Sequence, residues 1–165
     1  MNVIYEKTLI IGYGNPDRQD DGVAWHVLAS VAQKLEKTVP KSFEEEFESG
    51  GGSPDFLFVL QLVPELAETL ASYKRICFVD AHTGNVPDDI QLVNVAAQFQ
   101  TSPFTHHMTA ATCLTLTQTI YHKLPEAILV SVRGHQFGFT QTLSTETGEL
   151  VNQAANRILE WLQVN

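Results

Sequence analysis

Apolar and polar residues follow two rhythms along this chain. Mainly apolar segments of strand length occur at residues 7–12, 56–63, 75–80 and 127–133. Short continuous apolar runs between turn signals read as buried strands. A weaker run at Ile90–Val95, after the turn-forming Gly84-Asn85 and Pro87-Asp88-Asp89, reads as an edge strand. Between the runs the spacing becomes helical. Val23, Ala24, Val27, Leu28, Val31 and Leu35 predict a helix over 21–37, stopped by Pro40. Pro64 suits the first turn of a short helix reaching Tyr73. Ala111, Leu114, Thr115 and Gln118 predict a helix from Met108 to His122. Ser144 can cap a last helix with Glu146 in its first turn and an apolar stripe through Leu150, Ala154, Ile158, Trp161 and Leu162. Phe43–Glu48 alternates apolar and acidic residues, the pattern of a half-exposed strand, and Gly50–Pro54 reads as a turn.

Strands alternating with helices predict a three-layer α/β/α sandwich around a mostly parallel, mixed, five-stranded sheet. At 165 residues, with no internal repeat and no dividing linker, the chain reads as one domain over 1–165. The net charge of −9 argues against nucleic acid and against anionic membranes. Cys77 and Cys113 lie inside apolar runs and read as buried free thiols. No signal peptide or spanning segment is visible, so a cytoplasmic location is the default expectation; a monomer is expected as well.

The candidate chemistry gathers where strands end. Gly12-Tyr-Gly-Asn-Pro-Asp-Arg-Gln-Asp-Asp21 follows the first strand, with Asp20 read as the helix cap and Asp21 as free to face the crevice. Asp80 ends a buried strand, and His106 and His107 precede a helix. In open α/β sheets such strand ends converge on the ligand-binding edge. Two carboxylates and an imidazole there make a mixed oxygen and nitrogen site for a divalent metal. The plain alternative for each residue is structural: a cap, a loop hydrogen bond, a packed ring. His82 and His135 lie in loops that reach the same edge, whereas His26 and His122 read as packing or surface residues. The chain lacks H-E-x-x-H, G-x-S-x-G and the third glycine of a dinucleotide loop.

Ile11-Gly-Tyr-Gly-Asn-Pro-Asp-Arg-Gln-Asp-Asp-Gly22 resembles the signature of the hydrogenase maturation proteases. Gln61–Ala67, Val79-Asp-Ala81, Thr105-His-His-Met108, Gly134-His-Gln-Phe137 and Leu143-Ser144 resemble further blocks in family order. Pro16-Asp17 and the long, glycine-rich 43–58 segment depart from the pattern. The resemblance implies a small endopeptidase, classed as aspartic-type, that removes a C-terminal extension from the precursor of a nickel–iron hydrogenase large subunit. It implies a site of Asp21, Asp80 and His106, with His107 the alternate. It also implies that nickel arrives with the substrate precursor, and that Asp21 and Asp80 act in cleavage. Two other classes stay open: a metal-binding assembly-checkpoint protein that binds the precursor uncut, and a small-molecule hydrolase using the same crevice.

Overall fold

The computed structural model describes residues 6–48, 52–98 and 108–164. Five strands form one sheet: β1 (Thr8–Tyr13), β2 (Asp55–Val59), β3 (Arg75–His82), β4 (Ile90–Asn94) and β5 (Glu126–Arg133). Their order is β2-β1-β3-β5-β4. The pairings β1–β2, β1–β3 and β3–β5 are parallel, and the edge strand β4 runs antiparallel to β5. Four helices cover the two faces: α1 (Val23–Lys34), α2 (Leu66–Leu70), α3 (Ala110–Tyr121) and α4 (Thr145–Gln163). The expected α/β sandwich and mixed five-stranded sheet are both present.

The two-residue period of each strand divides the core. Ile10, Cys77, Val79, Ile128 and Val130 face α1 and α4. Leu9, Ile11, Ile76, Phe78 and Ala127 face α2 and α3. Gly12 sits where α1 comes nearest to β1. A Cβ there would stand 3.0 Å from Leu28 Cδ1 and 3.1 Å from Ala24 Cβ, so only glycine allows this approach without a shift. Arg75 is buried at the start of β3. Its guanidinium donates to the Trp161 carbonyl at 2.9 Å and lies 3.9 Å from the Trp161 ring centroid, which ties down the end of α4.

Three local expectations change. The segment before α1 is a 3₁₀ turn over Pro16–Gly22, and α1 begins at Val23. That helix ends at Lys34 with Leu35 as its C-cap and Glu36 at φ 58, before Pro40 is reached. Residues 43–48 form turns and irregular backbone, not a strand. Phe43 packs edge-on against Trp25 at 4.8 Å, and Phe47 stacks on Phe56 at 5.5 Å. The Lys41 N–H donating to Glu45 Oε2, at 2.9 Å, helps to close the turn. The alternation there reflects two aromatic anchors with acids between them, and requires no ladder. Among the described residues, no helix is long and apolar enough to cross a membrane.

Candidate functional site

Asp80, Tyr13 and Ser131 come from three neighbouring strands and share one face by alternation. Asp80 and Ser131 are direct register partners on β3 and β5. The Ser131 hydroxyl donates to Asp80 Oδ1 at 2.8 Å, and the Tyr13 hydroxyl donates to Oδ2 at 3.1 Å. Burial pushes the Asp80 carboxyl up to about 6, although both hydroxyls and the nearby His82 favour its charged form; Asp21 adds a smaller upward push. The Tyr13 phenol is raised far above its ordinary value by burial and by the Asp80 charge, so it stays a donor.

Asp21 is set by the loop after β1. Its Oδ2 accepts the Asn15 N–H at 2.7 Å. Gly14 makes the exit turn possible: it adopts φ +144, and a Cβ there would stand 2.0 Å from the Asp21 carbonyl oxygen. Asp21 and Asp80 line one open pocket of about 510 Å³, together with Tyr13, Asn15, Leu60 and Met108. It opens at the carboxyl ends of β1 and β3, the edge where open α/β sheets bind ligands.

Asp20 departs from its expected role. It does not cap α1, whose N-cap is Gly22 with no side-chain cap bond. Instead it is fully buried and reaches the far end of the chain. The His135 and Gln136 N–H groups donate to Oδ2 at 2.8 Å each, the Ser144 N–H to Oδ1 at 2.8 Å, and the Ser144 hydroxyl to Oδ2 at 2.6 Å. The Thr147 hydroxyl stands 2.9 Å from the carboxylate and 2.8 Å from the Arg133 carbonyl. Burial alone would raise this carboxyl, but the donated bonds outweigh it and hold the group below its ordinary range. The charge lies at the start of α4, where the helix dipole also favours an anion. Further bonds tie the loop to 136–141: Gln19 N–H to the Thr140 carbonyl at 2.9 Å, and Gln141 Nε2 to Asp17 at 2.7 Å. The adjacent carboxylates therefore divide the work, Asp20 anchoring the loop and Asp21 facing the pocket.

The histidines fare differently. His106 and its alternate His107 lie outside the described residues. Helix α3 opens just after them with Thr109 as its cap, accepting the Thr112 N–H at 3.1 Å. His82 is the last residue of β3, not a loop residue, and is tied to the turn that follows: Nδ1 accepts the Gly84 N–H at 3.0 Å, which leaves Nε2 to donate to the Asp88 carbonyl at 3.0 Å. His135 is exposed, with Nδ1 2.8 Å from the Thr147 hydroxyl, and does not line the pocket. Among the described residues, no three His, Cys, Asp or Glu side chains form a metal-holding group. The pocket is lined by Asp21 and Asp80, the two carboxylates of the expected donor set.

Tyr13 and Ser131 were not singled out from sequence. The signal was present in the alternation Leu9, Ile11, Tyr13 and in Ser131 standing two residues after Leu129.

No protein-family model matches the chain, and no curated protein matches it significantly. Solved structures do. One is a hydrogenase maturating endopeptidase, HybD from E. coli, at TM-score 0.64 and 17% identity, covering 95% of this chain and 92% of that one. Another is a [NiFe] hydrogenase maturation protease, HycI from Thermococcus kodakarensis, at TM-score 0.61 and 17% identity, covering 97% and 94%. A third is HybD from Thermococcus kodakarensis, at TM-score 0.62 and 17% identity, covering 95% and 99%. The fold is shared with the hydrogenase maturation endopeptidases. These are the proteins to which the sequence resemblance pointed, and the match spans nearly the whole chain.

Proposed function

We propose that this protein is an endopeptidase that removes a C-terminal extension from the nickel-loaded precursor of a nickel–iron hydrogenase large subunit. The observation that carries the reading is the convergence of Asp21 and Asp80 in one pocket, on a fold shared with HybD and HycI. In this reading nickel belongs to the substrate. The two carboxylates meet it as an incomplete ligand set, completed by His106 or His107 and by the precursor's own ligands. Asp80 is suited to proton transfer. Its carboxyl is raised to about 6, so near neutral pH it is mostly charged and takes up a proton at modest cost. Tyr13 and Ser131 hold both of its oxygens, which fixes the direction in which it presents them. Asp21, oriented by the Asn15 N–H, lines the same pocket.

The test is mass spectrometry of a nickel-loaded large-subunit precursor incubated with the protein, beside a nickel-free control. Loss of a C-terminal fragment from the loaded form alone is expected. Asp21→Asn and His106→Ala should fold and leave the precursor whole. An unchanged mass with a stable complex would replace this reading with that of an assembly checkpoint. Normal processing by both variants would overturn the site assignment.

A further inference from the structure

β2 is an edge strand, and its outer side forms the floor of a groove. Val59 directs its carbonyl toward β1, where it accepts the Gly14 N–H at 3.2 Å. Backbone groups in a strand alternate in direction. Asp55, Leu57 and Val59 therefore bond to β1, and Phe56 and Phe58 direct their N–H and C=O groups outward. Among the described residues, no backbone group from outside the sheet bonds to those outward groups. The groove, about 440 Å³, is walled by residues 43–47 on one side and by Thr69 and Tyr73 on the other. A shallower cavity of about 370 Å³ shares Phe43, Glu44 and Phe58 with it, and adds Asn15, Asp17 and Leu60. Asn15 and Leu60 also line the Asp21 and Asp80 pocket. The three cavities thus form one track, running up the free edge of β2 and over Leu60 into the candidate centre. Leu60 is 66% exposed at the junction.

The charge of the track is one-sided. Glu44, Glu45, Glu46 and Asp55 line its outer part, Asp17 its middle, and Asp21 and Asp80 its end. Among the described residues, no lysine or arginine lines any of the three cavities. Phe43 and Phe58, both part-exposed, supply apolar surface between the acids. An unpaired edge between two walls is the geometry of strand addition, in which main-chain bonds hold the peptide and alternate side chains enter pockets. A second copy of this chain would bring its own Glu44–Glu46 against the same acids. We infer that the free edge of β2 takes an extended segment of the substrate polypeptide, basic and apolar in alternation, and guides it into the Asp21 and Asp80 pocket. This deepens the proposed function and rests on it for the identity of the substrate, but the groove can be tested without it.

The probe is a fluorescein-labelled peptide of alternating lysine and valine, six residues long, beside its glutamate and valine counterpart. Binding is read by anisotropy and by amide shifts of the isotope-labelled full chain. The lysine peptide should bind, with its largest shifts at residues 55–60, and should weaken as salt is raised. The glutamate peptide should not bind. Glu44→Lys with Glu46→Lys should weaken lysine-peptide binding roughly tenfold or more. Glu45 is spared in this pair because it accepts the Lys41 N–H. Unchanged melting of the double variant would show that it folds. Equal binding by that variant, shifts away from β2, or dimerisation through 55–60 in sedimentation would overturn the inference. A peptide that binds at β2 without any precursor being cut would leave the groove standing and remove the protease reading. A precursor cut equally well by the double variant, with no shifts at β2, would do the reverse.

Discussion

Asp80→Asn should gain stability relative to wild type as pH rises through 6 and, on the proposed function, should leave the precursor whole. The Asp80 carboxyl is moved from an ordinary 3.8 to about 6, so the folded state favours its neutral form. The sign follows from linkage. A carboxyl raised on folding contributes stability that is full below its unfolded value, near pH ~4, and is lost as pH rises through about 6. A gap of roughly two units at about 1.4 kcal/mol each sets an upper bound of about 3 kcal/mol. Asparagine is never charged, and its amide can still accept from one hydroxyl and donate to the other oxygen. The variant's stability relative to wild type should therefore climb by about 1–3 kcal/mol between pH 4 and pH 8. With a urea slope of about 2 kcal/mol per molar, the midpoint difference should grow by roughly 0.5–1.5 M. Asp20 shifts in the opposite direction, but it is present in both proteins and cancels. Urea titrations at pH 4, 5, 6, 7 and 8 give the answer directly. A difference that stays flat with pH, or that runs in favour of wild type as pH rises, would refute the reasoning that burial dominates at Asp80.

Two other substitutions probe the loop before α1. Asp20→Asn replaces an oxygen by an N–H inside a ring of donors, leaving buried N–H groups unpaired; a loss of about 3 kcal/mol or more in urea unfolding is expected, and a loss below 1 kcal/mol would contradict the anchoring role. Gly14→Ala places a methyl against the Asp21 carbonyl at a backbone angle that alanine resists; precursor processing should fall at least tenfold with secondary structure intact by circular dichroism, and normal processing would show that the Gly14 turn does not set Asp21.

The sheet was legible in sequence because its strands are mainly apolar runs ended by turn residues. Asp80 was legible for the same reason, as a carboxylate closing such a run. Ser131 and Tyr13 were harder to see, since a hydroxyl in a strand gives no local sign of its partner; here the partner stands across the ladder. The division of Asp20 and Asp21 was half legible. Asp21 does face the pocket, but the bonds that define Asp20 come from residues 115 to 127 positions away, beyond the reach of a local pattern. The Phe43–Glu48 segment misled for a related reason. Its alternation records where two rings find Trp25 and Phe56, and not a backbone ladder.

The long reach of Asp20 also places the protein in time. During synthesis residue 20 emerges first, and the groups that seat it, at 135, 136, 144 and 147, emerge last. Closing a contact over such a separation is slow, and it waits for both partners. Until then the loop carrying Asp21 has only its local bonds, among them the Asn15 N–H to Asp21 and the Gly14 N–H to the Val59 carbonyl. A half-made chain has an unfinished pocket, and its carboxylate wall is complete only when the last helix docks.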